Sequence, residues 1–244
     1  MPTLKTLTVL LLCLGFVAIC ASASTVFYSP YDGQNPGAAS DQDGVIGLNG
    51  QFDIQSLAIT NISPSNVTVQ IDFNYDYGDS TLSPFMVAGV TLNPGDLLFS
   101  RGSQMWGVAL ATHPGFISGD LYAVDSFLTA RQVLGNPSGV NYNPNDDVWM
   151  NNDGGQSLVG SGTVSTAGTG GDEVQTTLSF VPSAGLLTAL DAGGTLVEFG
   201  AATCANDYIT ATIAIESVPE PATLVLLGTG LVGLSLLTRL RRRK

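Results

Sequence analysis

The chain reads as an all-β protein, an antiparallel β-sandwich of jelly-roll-like type, followed by one C-terminal transmembrane helix. Three observations predict this. Two long stretches alternate apolar and polar residues with a period of two. Clusters of Gly, Pro, Asn and Asp cut the rest into short segments. A 17-residue run without charge, Ala222 to Thr238, closes the chain before a cluster of arginines.

The alternation is clearest in NVTVQIDF (66–73), which puts Val67, Val69, Ile71 and Phe73 on one face and Thr68, Gln70 and Asp72 on the other. DYITATIAIE (207–216) does the same with Ile209, Ala211, Ile213 and Ile215. That period belongs to half-buried strands. FDIQSLAIT, FMVAGVTL, GDLLFS, MWGVALAT, GDLYAVDSF, DVWM, GSGTV, QTTLSFV and TLVEFG supply further strands. NPGD, HPG, GNPSG, NPNDD, NDGG, AGTGGDE and DAGG supply the turns between them. Only FLTARQVL and SAGLLTAL read as helical. Many short strands at regular spacing fit a sandwich, and no fixed repeat suggests a propeller or solenoid.

Charge divides the chain sharply. The stretch from Ser24 to Pro221 holds two of the eight basic residues, Arg101 and Arg131, and all twenty acidic ones, a formal charge of −18. Such a surface repels phosphate backbones and excludes a nucleic-acid partner. At the N-terminus, Lys5 precedes the apolar run LTVLLLCLGFVAIC, and Ala21 and Ala23 give an A-x-A cleavage pattern. Residues 1–23 therefore read as a signal peptide; an uncleaved anchor and a lipoprotein at Cys20 are the alternatives weighed. Cys13 and Cys20 leave with it, so Cys204 has no internal disulfide partner and reads as a small buried residue. A sandwich over residues 24–216 is long enough to bury its own core.

The tail has three parts: Pro219-Glu220-Pro221, the apolar run 222–238, and the basic residues of 239–244. Two prolines keep the backbone extended and present Glu220 ahead of the helix. A 17-residue helix is roughly 26 Å long, the short end of what spans a bilayer. The basic cluster stays on the cytoplasmic side, which leaves the acidic body outside. Gly228, Gly230 and Gly233 match G-x-G-x-x-G formally, but the chain ends before a βαβ unit could follow. They read as small residues easing helix contact.

These three parts, in this order over residues 217–244, resemble the PEP-CTERM sorting signal of Gram-negative bacteria. The resemblance implies processing by an exosortase, a membrane enzyme with a cysteine nucleophile, acting at Pro219, Glu220 and Pro221. It implies an exported protein: an inner-membrane-anchored precursor with its ectodomain in the periplasm, then a cell-surface or matrix protein. GDLYAVDSFLTARQVLGNPSG, NPNDDVWMN and FGAATCANDYI are similar to stretches that recur in exported PEP-CTERM proteins of unassigned role.

Parts for catalysis are scarce. The one histidine, His113 in ATHPG, reads as a surface turn residue, although Asp120 or Asp125 could join it in a triad. Zinc has too few ligands. Asp146 with Asp147, or Asp172 with Glu173, could serve a glycoside hydrolase. Calcium is the metal the sequence favours as a cofactor. DQDG offers Asp41 and Asp43, and NPNDD and NNDGG offer Asp146, Asp147 and Asp153, oxygens that suit a hard cation. The competing reading is an Asx turn that caps its own backbone. Extracellular polysaccharide is the expected partner, with Trp149 and Tyr142 as exposed contacts and Trp106 in the core. A non-catalytic surface protein is thus the expectation, and a polysaccharide-acting hydrolase its alternative.

Overall fold

The computed structural model describes residues 25–28, 39–41, 54–74, 82–87, 89–137, 143–170, 173–205 and 207–213. The expected signal peptide, the apolar run 222–238 and the basic tail lie outside them. Every strand pairing among the described residues is antiparallel, so the all-β expectation holds.

One sheet runs, edge to edge, β1 (Thr25–Tyr28), β3 (Ile54–Ser63), β4 (Asn66–Asn74), β14 (Glu173–Phe180) and β13 (Gly162–Gly170). The other runs β12 (Ser157–Gly160), β9 (Leu121–Val124), β8 (Gln104–Val108), β7 (Leu97–Arg101), β15 (Thr195–Gly200), β16 (Tyr208–Ile213) and β2 (Ala39–Asp41). Two further two-stranded sheets are the hairpin of β5 (Phe85–Val87) with β6 (Val90–Leu92), and β10 (Phe127–Thr129) paired with β11 (Asp147–Met150) across a longer connection. Successive strands mostly stay in one sheet: β3 with β4, β7 with β8 and β9, β13 with β14, β15 with β16. A jelly roll passes most successive strands from sheet to sheet, whereas among the described residues the two large sheets exchange consecutive strands only at β1–β2–β3, β12–β13 and β14–β15.

The alternation read in the sequence is the burial pattern. In β4, Val67, Val69, Ile71 and Phe73 are fully buried while Thr68, Gln70 and Asp72 are half-buried. The inner faces of the two sheets meet through aromatic pairs. Phe73 of β4 meets Phe199 of β15 edge-on with ring centroids 5.2 Å apart, and Phe180 of β14 meets Phe99 of β7 at 6.2 Å. Each fully buried phenylalanine contributes about 2 kcal/mol or more of transfer free energy.

The larger sheet is covered on both faces, which explains its unbroken apolar runs. Leu97 and Phe99 are buried, and so is Leu98 between them, in a second cluster with Ala109, Phe116, Tyr122, Val124 and Met150. The run Trp106 to Leu110 is buried throughout, for the same reason. Trp106 is thus core, as read. Gly95 packs so closely that a Cβ there would lie 2.1 Å from the Gly200 carbonyl oxygen.

FLTARQVL proves to be two things. Phe127–Thr129 pairs with β11 as a strand, and the helix α1 is only Ala130–Leu134. Thr129 ends the one and caps the other, in a capping box with Gln132. SAGLLTAL forms α2 (Ala184–Asp191), capped by Ser183 Oγ, which accepts from Leu186 N–H at 3.1 Å. Its Leu186, Ala189 and Leu190 are buried.

Candidate functional site

Three polar constellations emerge. The first ties the loop after β8 to the body. Asp96, fully buried, accepts hydrogen bonds from Met150 N–H at 2.9 Å and from His113 Nε2 at 3.0 Å. His113 stacks on Trp149, with ring centroids 4.3 Å apart and planes 4° from parallel. Trp149 Nε1–H in turn donates to the Pro94 carbonyl at 3.1 Å. Burial pushes the Asp96 carboxyl up, partly offset by His113 and by the N–H groups of Met150 and Leu110. His113 does sit in a tight turn, bonded through its backbone to Phe116 at 3.2 and 2.9 Å. Its side chain, however, is only 6% exposed, so the surface reading is corrected. The turn composition was visible, whereas the partner lies 17 residues away and could not be. Neither Asp120 nor Asp125 is its partner in that contact.

The second constellation is acidic. Asp146 and Asp147, entering β11, lie near Glu198 of β15, whose Oε1 accepts from the Tyr208 hydroxyl at 2.7 Å. All three carboxyls are raised, first by burial. The charge of Asp147 adds to the shift at Asp146, and both aspartates add to it at Glu198, where the Tyr208 hydrogen bond opposes it. Burial and Glu198 push the Tyr208 hydroxyl up as well. Asp146 Oδ2 is buried with no hydrogen-bond partner among the described residues. Sequence reasoning found the two aspartates and missed Glu198 and Tyr208. TLVEFG and NDYIT are separate strands, and only the β15–β16 pairing joins them.

The third is the outer face of the smaller sheet. Thr68, Gln70 and Asp72 of β4 lie in register with Ser179, Thr177 and Gln175 of β14, and these with Thr163, Ser165 and Ala167 of β13. Hydrogen bonds link the side chains: Ser179 to Asn66 Oδ1 at 2.8 Å, Asn66 to Thr68 at 2.8 Å, Gln175 to Asp72 Oδ1 at 2.9 Å and Ser56 to Asp72 Oδ2 at 2.8 Å. The result is a largely half-buried field of hydroxyls and amides with one carboxylate.

Asp41 ends β2, Asp43 and Tyr142 lie outside the described residues, and so does Asp172. Asp153 is exposed; its Oδ1 accepts from Gly155 N–H at 3.1 Å and its Oδ2 from Asn151 at 3.2 Å, the Asx-turn arrangement. Among the described residues no three His, Cys, Asp or Glu side chains gather as a metal ion needs. Cys204 is buried, 1% exposed. Among the described residues no helix is long and apolar enough to cross a membrane. The run 222–238 and Pro219, Glu220 and Pro221 lie beyond them.

Fold and site together define an all-β body whose described strands pair antiparallel throughout. The family model of the PEP-CTERM protein-sorting motif matches residues 217–243. The chain thus ends in a PEP-CTERM tail, which marks an exported protein recognised by an exosortase. No curated protein and no solved structure matches the chain.

Proposed function

We propose that this is a non-catalytic cell-surface or matrix protein, released by exosortase processing at Pro219, Glu220 and Pro221, whose ectodomain contacts extracellular polysaccharide. The sorting motif at 217–243 carries the reading. In this reading residues 222–238 span the inner membrane, the basic tail stays inside, and the two sheets form a sandwich in the periplasm before release. The hydroxyl and amide field over β4, β14 and β13 supports the polysaccharide contact. It offers donors and acceptors to sugar hydroxyls without desolvating an ion, except at Asp72. Trp149 supports it less than the sequence suggested, since His113 takes one face of its ring. Sedimentation with purified extracellular polysaccharide tests this. Thr177→Ala with Gln175→Ala is expected to release the protein from the pellet, and retention equal to wild type overturns the contact.

A second reading, a polysaccharide hydrolase, is favoured by one observation: Asp146, Asp147 and Glu198 lie half-buried near one another, their carboxyls pushed up by burial, the kind of grouping that occurs in acid–base sites. Reducing-end release from the same polysaccharide decides it. Turnover that disappears with Glu198→Gln and Asp147→Asn supports the hydrolase; no turnover in wild type removes it.

A further inference from the structure

We propose that the hydroxyl and amide face over β4, β14 and β13 selects an amino-sugar polymer, one whose rings carry a free ammonium group, and that Asp72 is the carboxylate that receives it. The inference rests on the polysaccharide contact proposed above and adds to it the charge of the sugar.

Asp72 sits in a row that crosses four strands in register: Ser56 of β3, Asp72 of β4, Gln175 of β14 and Ala167 of β13. Its neighbours on both sides hold it. Ser56 Oγ donates to Oδ2 at 2.8 Å, and Gln175 Nε2 donates to Oδ1 at 2.9 Å. A carboxylate has about four acceptor sites, and these donors fill only two of them. Both donors come from flanking strands, so the clamp runs along the sheet and leaves Asp72 half-buried, not enclosed. Among the described residues no cation pairs with it; the ion pair there is His113 with Asp96. A carboxylate fixed in this way, with lone pairs to spare, suits an ammonium through a short charge-assisted hydrogen bond.

Charge decides among the polysaccharides. The stretch from Ser24 to Pro221 carries a formal −18, and its two cations lie elsewhere. Arg101 ends β7 in the larger sheet, and Arg131 lies on α1. A uronate or sulfated chain would find no counter-charge on this face and would be repelled by the molecule as a whole. A neutral glucan would satisfy the hydroxyls and amides but gain nothing at Asp72. An amino sugar carries an ammonium among several hydroxyls, which matches a carboxylate among hydroxyls and amides. The net charge also draws a polycation toward the surface. Ser165 and Ala167, on the outer strand of the face, are exposed and leave its side open.

Calorimetric titration of the full chain in neutral detergent tests this, with a glucosamine oligosaccharide and its fully N-acetylated counterpart as probes. Acetylation removes the ammonium and keeps the sugar chain. The glucosamine form is expected to bind at least about tenfold more tightly, the least that a hydrogen bond to a charged group contributes. Asp72→Asn should bring it down to the level of the acetylated form. Asp191→Asn removes the same charge from the exposed end of α2 and should change little. Ala167→Lys places an ammonium in the Asp72 row, two strand spacings or about 10 Å away, and should weaken the glucosamine form as well. It leaves the clamp intact, so it stands as the test if Asp72→Asn unfolds the chain. Equal binding of the two forms, or equal effects of Asp72→Asn and Asp191→Asn, would mean that no ammonium is read at Asp72 and would overturn the inference. Binding of neither form overturns it too. Pelleting with the purified polysaccharide, and its loss on Thr177→Ala with Gln175→Ala, then decides separately whether the contact itself survives.

Discussion

Asp207 joins the two sheets with one carboxylate. It is 4% exposed; Oδ2 accepts from Ile54 N–H at the start of β3, and Oδ1 accepts from Tyr208 N–H at 2.8 Å at the start of β16. Replacing it with alanine strands two buried donors, each costing about 1 to 3 kcal/mol. Asp207→Ala is expected to lower stability by about 2 to 4 kcal/mol in urea titration, with Asp207→Asn between it and wild type. Thr176 presents the reverse case. It is fully buried on the inner side of β14, and its hydroxyl has no hydrogen-bond partner among the described residues. Valine keeps the shape and removes the unpaired oxygen, so Thr176→Val should stabilise by about 1 kcal/mol. A lower urea midpoint would show that the hydroxyl is satisfied. Little of this was legible beforehand. Asp207 read as the head of a strand, and Thr176 as one more residue of a β segment.

At the scale of elements, legibility follows how many faces a strand buries. β4 and β16 each bury one face and could be read residue by residue. Leu97 to Phe99 and Trp106 to Leu110 bury both, so they show as runs without a period, recognisable as strands only by their length and bounding turns. β13 was half missed. Its GSGTV start read as a strand, whereas the small residues from Ala167 onward read as a turn. Pairing with β14, from Gly162 against Phe180 to Gly170 against Glu173, extends it through residues with little side chain to signal. In α1 a local rule held: Thr129→Ala removes the cap and should cost about 1 kcal/mol, measurable in the melting midpoint. Phe199, fully buried against Phe73, has far more at stake. Phe199→Ala is expected to cost about 3 to 5 kcal/mol, and a loss under 1 kcal/mol would mean the sheets are not held together there.

Over the whole molecule the dominant quantity is negative charge. Asp96, Asp146, Asp147 and Glu198 all have raised carboxyls when folded, each chiefly through burial. The folded state therefore binds more protons than the unfolded one. Their contribution to stability is complete below the ordinary carboxylate range of about 4 and is lost as pH rises through the raised values. The melting temperature of the body should accordingly climb as pH falls from neutral toward about 5. Glu198→Gln should flatten that climb; a profile that falls instead would mean these carboxyls are not strained by burial. Tail and body differed in how much the sequence disclosed. Three successive segments of distinct chemistry identify the sorting signal unaided, whereas the acidic cluster and the Asp96–His113–Trp149 contact join residues far apart in the chain and needed the fold.

The most direct measurement follows the tail itself. An epitope behind Lys244 and a second one within the body would be tracked by fractionation in an exosortase-bearing Gram-negative host. Wild type is expected to lose the C-terminal epitope and leave the inner membrane, while a chain with Pro219, Glu220 and Pro221 all changed to alanine keeps the epitope and stays there. Identical cleavage and release of both chains would contradict sorting through this motif.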